Sequence, residues 1–428
     1  MGKINRDILR LAIPAIIANI TTPLLALIDT AIVGHLGDPA YLAAVAIGGS
    51  IFSMLYWPFG FLRMGTSGLT AQAHGANNKM ECDATLWRAL LTSTTIGLLI
   101  VILQKPINEI FLHFIETDTS TSHIAKQYID ILIYGAPASL GLYAVNGWLI
   151  GKGNSRKTMW ISLIINLSNI LVSLLLVYGV KLGIAGVATG TLCAQWIGFA
   201  SGILMIRNYR IEKINLKIIF IKEKIKQFFS INTDIFFRTL CLVAVTVWFT
   251  KAGAKQGDII LSVNALLMQL FMLFSYIMDG FAYAGEALVG SAIGAGNNIQ
   301  EKKTIKHLFL FGASLSFIFT LAYFFLGDNI LSLLSDNLDV IQASEEYRWW
   351  AVSVPFAGFG AFIWDGIYTG ATMTRRMLLS MAIACIIFFA IYFSLFTILG
   401  NHALWFAFIL YLFSRGIMQT LLYNRSTK

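Results

Sequence analysis

NGWLIGKGNSRKTM, residues 146–159, returns 219 residues later as DGIYTGATMTRRML, residues 365–378. At that offset Gly147 meets Gly366, Gly151 meets Gly370, Arg156 meets Arg375 and Lys157 meets Arg376. The same offset sets AQAHGANN (71–78) against GSAIGAGNN (290–298), with one inserted residue. One short match arises by chance, but two in register point to a duplicated unit.

The unit is read from the apolar runs around these segments. The chain of 428 residues is 57% hydrophobic and 12% charged, with a mean hydropathy of +0.72. Soluble domains carry about 25% charged residues, so most of this surface faces hydrocarbon rather than water. A membrane-spanning helix needs about 20 mostly apolar residues. Runs of that kind lie near 8–34, 42–73, 86–104, 125–150, 158–180, 183–206, 229–252, 259–293, 305–326, 346–371, 377–399 and 402–423. The reading is an all-α polytopic membrane protein of 12 transmembrane helices in two pseudo-symmetric six-helix lobes. Residues 1–206 form the N-lobe, 207–228 a basic cytoplasmic linker and 229–428 the C-lobe. Six is even, so the two copies share one orientation, as in transporters built from parallel repeats. Pro14, Pro23, Pro58, Pro137 and Pro355 each remove an intrahelical bond and favour kinks.

Basic residues set the orientation. With both termini placed in the cytoplasm, the inside segments hold 22 of the 31 Lys and Arg, seven of them between Arg207 and Lys226. The outside segments hold six: Lys105, Lys126, Lys181, Lys251, Lys255 and Arg348. The net charge of +9 therefore marks topology and the anionic inner leaflet, and no nucleic-acid partner is expected. Cys82, Cys193, Cys241 and Cys385 are scattered and form no CxxC pair, so they read as packing residues. MGKINRDILRLAIPAII at the start lacks a small-residue cleavage site and reads as a retained first span. GKGNSRK lacks the spacing of a phosphate loop and follows a membrane helix. Pumping is accordingly expected to run on an ion gradient. The six histidines are dispersed, and no catalytic constellation or metal cluster is seen, so neither an enzyme nor a cofactor site is expected.

Ionisable residues inside spans are where function is sought. They are Asp29, Arg63, Asp234, Arg238, Asp279, Glu286, Asp365 and Arg415. Asp234 and Arg238, four apart on one helix face, are expected to pair. Arg63 and Arg415 are expected to snorkel toward the cytoplasmic surface. Asp279, Glu286 and Asp365 either form a secondary acidic cluster or each satisfy a base. Asp29 stands apart because no Lys or Arg lies within two turns of it. Its compensation is a proton, a bound cation or polar groups from other helices. A carboxyl in a dry site keeps its proton to higher pH, which suits it to ion coupling.

DTAIVGHLGDPAYLAAVAIGGSIFS (29–53), FGFLRMGTSGLTAQAHG (59–75), MDGFAYAGEALVGSAIGAG (278–296), WDGIYTGATMTRRM (364–377) and GNHALWF (400–406) together resemble the MATE (multidrug and toxic compound extrusion) family, in its DinF-type branch. The resemblance implies a central cleft between the lobes and ion-driven export of small amphipathic or cationic drugs. It also implies an ion-binding role for Asp29 in the N-lobe, with Asn169 at the family's fifth-helix asparagine and Thr191 as a sixth-helix network threonine. Ser173 departs from the family, standing where it has an aspartate. One carboxylate among neutral oxygens favours H⁺ over Na⁺ as the coupling ion. The expectation is a proton-coupled efflux antiporter, monomeric, multi-pass in the bacterial inner membrane and surrounded by membrane lipid. A Na⁺-coupled antiporter and a lipid-linked precursor flippase of the wider superfamily are the alternatives. The flippase is disfavoured because the deep charges are mainly acidic.

Overall fold

Backbone amides in hydrocarbon have no water to bond, and helices satisfy them internally. The structure is a computed structural model that describes residues 2–35, 39–114, 119–207, 209, 211 and 216–423. Among the described residues there are α-helices and no strands. The first half comprises α1 (Lys3–Gly34), α2 (Pro39–Tyr56), α3 (Phe61–Gly75), α4 (Lys79–Ile102), α5 (Gln104–Phe114), α6 (Thr119–Leu132), α7 (Ala136–Gly151), α8 (Ser155–Leu174) and α9 (Ile184–Arg207). After the short linker helix α10 (Leu216–Ile219) come α11 (Lys222–Ala254), α12 (Asp258–Gly294), α13 (Asn298–Leu334), α14 (Leu338–Gly370), α15 (Thr374–Leu399) and α16 (Asn401–Leu422). Short 3₁₀ turns weld α2 to α3 and α6 to α7, so each pair makes one span. Among the described residues, 11 such spans are long and apolar enough to cross a membrane. The 32-residue α1 carries the remaining expected span. Residues 36–38 of the quoted motif, linker residues 208, 210 and 212–215, and the terminal bases Arg425 and Lys428 lie outside the described residues.

The chain divides into two compact units, one of Ile13–Asn232 and one of Met1–Ala12 with Thr233–Lys428. In the first, Trp148 is fully buried and donates its Nε1–H to Cys82 O at 3.0 Å. The linker is fastened in the same unit. Buried Arg88 donates to Ile218 O (2.9 Å) and Ile219 O (2.8 Å), the carbonyls that end α10, and pairs with Glu81 at 2.8 Å.

The offset of 219 reappears in the tertiary packing of each unit. A Cβ on Gly147 would press into Arg63 O, and one on Gly366 into Ala282 O, 219 residues further on. At Gly151 it would stand 2.6 Å from Ser67 O, and at Gly370 2.5 Å from Glu286 O, again the same displacement. Six of the eight described positive-φ residues pair likewise: Asn77 (54°) with Gly296 (67°), Gly153 (70°) with Thr372 (52°), and Lys181 (62°) with Gly400 (53°). Asn78 and Asn297 each cap a following helix, accepting from Glu81 N and Gln300 N. These pairs align AQAHGANN with GSAIGAGN without any gap, so the inserted residue expected from the sequence is not there. Alignment by letters favoured the double asparagine. The turn is set instead by the left-handed residue, asparagine in one copy and glycine in the other, both of which tolerate that conformation.

Backbone-to-backbone contact at these glycines leaves no side chain to yield. Gly366→Ala is expected to destabilise the protein by about 1–3 kcal/mol through overpacking. Gly360→Ala, whose Cβ meets nothing nearer than 4.0 Å, is expected to be neutral or stabilising. Thermal unfolding of the purified variants in detergent reads both.

Candidate functional site

Asp29 lies on α1 six residues beyond Pro23, whose ring interrupts the helix's hydrogen-bond ladder. It is 6% exposed, and its carboxyl faces the side chains of Asn169 on α8 and Thr191 on α9. Asn169 Nδ2 donates to Thr191 Oγ1 at 2.8 Å, and Thr191 Oγ1 donates on to Val187 O at 3.1 Å. Asn169 and Ser173 are four apart, so they share one face of α8, and both are fully buried. Gly190 makes the room for Ser173: a Cβ there would collide with its Oγ. The structure thus brings together Asp29, Asn169 and Thr191, with Ser173 one turn along the same helix face.

Three buried oxygens here, Asp29 Oδ1, Asn169 Oδ1 and Ser173 Oγ, have no hydrogen-bond partner. Nearly every buried polar atom in a folded protein has one. An ionised carboxylate only accepts, whereas a protonated one also donates. One proton on Asp29 therefore removes a buried charge and supplies a donor where acceptors are in excess.

Tyr128 on α6 also belongs to this centre and went unseen in the sequence. It is buried, lies within hydrogen-bonding reach of Thr191, and feels the charge of Asp29. Gly48 on α2 accommodates its ring, which a Cβ there would strike. A tyrosine in an apolar span carries little signal by itself. The available signal was the repeat, since Tyr347 stands at the same offset. Tyr128→Phe is expected to preserve folding and slow ion-driven transport about fivefold, the worth of roughly 1 kcal/mol for one hydrogen bond. Initial efflux rates from proteoliposomes measure it.

The second unit has a polar centre of a different kind. Asp365 on α14 accepts from Arg238 Nη2 on α11, from Arg415 Nη2 on α16 at 2.8 Å and from Gln419 Nε2 at 2.8 Å. This corrects two expectations and decides between the two readings left open for Asp365. Arg238 does not pair with Asp234, which instead accepts from Thr374 Oγ1 at 2.9 Å. Arg415 does not snorkel; it is 3% exposed and ion-paired. Asp365 is part of no purely acidic cluster, because two guanidinium groups enclose it. The physical reason is shared. An exposed pair one helical turn apart is worth about 0.3–0.5 kcal/mol, while a buried carboxylate without a counter-charge costs several. Asp279 on α12 acts on Arg415 through its charge. Glu286, buried two turns further along α12, has interactions of its own. Among the described residues no group of three or more His, Cys, Asp or Glu could hold a metal ion.

The two centres occupy different places in the repeat. At the offset of 219, Asp29, Asn169 and Ser173 correspond to Trp248, Phe388 and Tyr392. These form an aromatic cluster, Trp248 edge-on to Tyr392 at 5.8 Å and Phe388 stacked on Tyr392 at 6.4 Å. Arg238, Asp365 and Arg415 correspond in turn to Asn19, Asn146 and Trp196. The duplicated scaffold is kept, but the positions of Asp29, Asn169 and Ser173 in the first half are aromatic in the second.

Comparison with known proteins agrees with this duplicated architecture. The outward-facing structure of a multidrug resistance MATE family transporter of the MOP superfamily superposes with a TM-score of 0.87 at 19% identity, covering 98% of this chain and 95% of that one. A crystal structure of MATE in the bent conformation gives a TM-score of 0.85 at 19% identity over 98% and 94%. In sequence, the chain is 35% identical over 425 residues to the DNA damage-inducible protein F of Escherichia coli (strain K12), covering 98% of this chain and 92% of the relative. It is 23% identical over 220 residues to the probable multidrug resistance protein NorM of Thermotoga maritima, covering 50% of this chain and 47% of the relative. The MatE family model matches twice, at residues 14–175 and again at 235–395, once in each half. The chain is a multi-pass membrane protein that belongs to the MatE family of transporters.

Proposed function

We propose that the protein is a proton-coupled antiporter that exports organic cations and other amphipathic compounds, with Asp29 as the group that carries the proton. The observation behind this reading is the buried carboxyl with no counter-charge, set beside Asn169, Thr191 and Tyr128 with orphaned oxygens around it. Ser173, a neutral hydroxyl, leaves one carboxylate in the centre. A proton needs one such group, whereas a cation stripped of its hydration shell needs several oxygen ligands held at fixed distances. The relatives named for multidrug resistance support the substrate class.

In this mechanism a proton from outside neutralises Asp29. With the charge gone, the carboxyl donates to a neighbouring acceptor and α1 rearranges about the break at Pro23, expelling the bound compound. Access then switches to the cytoplasm, the proton leaves, and the restored charge returns α1 to its starting form. The excess of bases in the segments assigned inside supports an inner-membrane placement with both termini cytoplasmic. We take the working unit to be a single chain.

The energetics set the test. Exchange of one monovalent cation for one proton moves no net charge, so the pH difference supplies the drive, at about 1.4 kcal/mol per unit. A neutral compound also gains about 2.3 kcal/mol per 100 mV. Proteoliposomes loaded with a fluorescent monovalent cation are expected to empty under an imposed ΔpH, with no gain from an imposed ΔNa⁺ and little from a potential alone. Efflux that follows ΔNa⁺ at uniform pH would replace the proton by sodium in this scheme.

A further inference from the structure

Cys241 on α11 and Cys385 on α15 meet inside the second unit. Cys385 Sγ donates to the backbone carbonyl of Cys241 at 3.4 Å, and the two thiols lie within hydrogen-bonding reach of each other. Both are free. The first half closes the equivalent crossing with Asn166, 219 residues before Cys385, whose Nδ2 donates to Thr21 O at 3.0 Å. That comparison separates two roles. One hydrogen-bonding side chain on α15 is enough to tie the crossing, as Asn166 shows on α8. A second sulfur facing it from α11 adds nothing to that bond and makes the site a dithiol.

Its surroundings suit sulfur chemistry. Arg238 acts on Cys241 and Arg415 on Cys385 through charge. The thiolate is the nucleophilic form, and a guanidinium beside it balances its charge. A disulfide spans about 4.4–6.8 Å between Cα atoms. With Cys385 Sγ at 3.4 Å from the Cys241 backbone carbonyl, the two residues already lie side by side across the α11–α15 crossing.

We propose that Cys241 and Cys385 are an oxidisable pair that closes to an interhelical disulfide between α11 and α15 when hydrogen peroxide reaches the membrane. Peroxide is small and uncharged enough to enter there. One thiolate attacks the peroxide O–O bond, giving a sulfenic acid and hydroxide. The second thiol then attacks that sulfur, the S–S bond forms, and water leaves. In sum two thiols and one peroxide give one disulfide and two waters, with sulfur oxidised and peroxide oxygen reduced. The bridge would clamp α11 one turn from Arg238, the residue that holds Asp365.

The test uses the full-length protein in detergent, with Cys82→Ser and Cys193→Ser leaving only the pair. After peroxide, free thiols are blocked with N-ethylmaleimide as the protein is unfolded in SDS. Reduction and labelling with a maleimide-linked polymer follow. The expected result is two labels per chain after peroxide and none without it, with the protein still a single chain before reduction. Either further variant, Cys241→Ser or Cys385→Ser, is expected to give none. Mass spectrometry of peroxide-treated wild type is expected to show the 241- and 385-containing peptides linked and two hydrogens lighter, which covers the case of a poorly folding background. Thiols that stay open to maleimide, separate sulfinic or sulfonic acids, or a cross-link between two chains would each overturn the proposal.

Discussion

Asp29→Asn is expected to bring ΔpH-driven efflux down to the level of empty liposomes while leaving the protein folded. The amide has the shape of the carboxyl, so packing against Asn169 and Thr191 survives. It cannot gain or lose a proton across the working range, so the site no longer changes charge between the two sides of the membrane. Stability should hold or rise, because an amide removes the buried charge and brings a donor to a site where Asn169 Oδ1 has no partner. Two measurements on one preparation separate the possibilities: thermal unfolding reports the fold, and efflux under imposed ΔpH reports the coupling. A folded Asp29→Asn variant that still responds to ΔpH at the wild-type rate removes Asp29 from the mechanism.

Asp365→Ala should behave in the opposite way. It leaves Arg238 and Arg415 buried with no counter-charge, and removing one partner of a buried ion pair costs about 3–5 kcal/mol. Net stabilities are commonly about 5–15 kcal/mol, so much of the protein is expected to unfold or fail to accumulate in the membrane. Replacing all three residues together, Asp365→Leu with Arg238→Met and Arg415→Met, removes the stranded charges and is expected to restore much of the loss. If the triple variant folds and still responds to ΔpH, the second centre is a structural fastening. If Asp365→Ala alone unfolds at the wild-type temperature, the network contributes little and the energetic reading given to it is wrong. The two aspartates are alike in sequence and in burial; what separates them is whether arginine surrounds them.

That contrast also marks where sequence reading stops. Asp29 was identifiable because helical neighbours are near in sequence, and no Lys or Arg occurs within two turns of it. Asp365 has none within two turns upstream either, yet its partners arrive from α11 and α16, 127 and 50 residues away. Periodicity along one helix assigned Arg238 to Asp234, the only acid it could see at the right spacing. Tyr128 was missed for the same reason: its partner Thr191 lies on another helix, and nothing local distinguishes it from an ordinary apolar-span tyrosine.

The amino-acid sequence by itself determined the helical membrane fold, the twelve-span count and the duplication, because hydrocarbon forbids unpaired backbone and imposes a minimum length that shows as runs of apolar residues. The duplicated backbone is close enough that two glycine contacts and three left-handed turns recur at one fixed displacement. Only the tertiary structure decided which buried charges cancel, which oxygens remain unsatisfied and which cysteines touch. Those outcomes depend on how separate helices face one another, and the cost of an isolated charge selects partners by distance in space rather than along the chain.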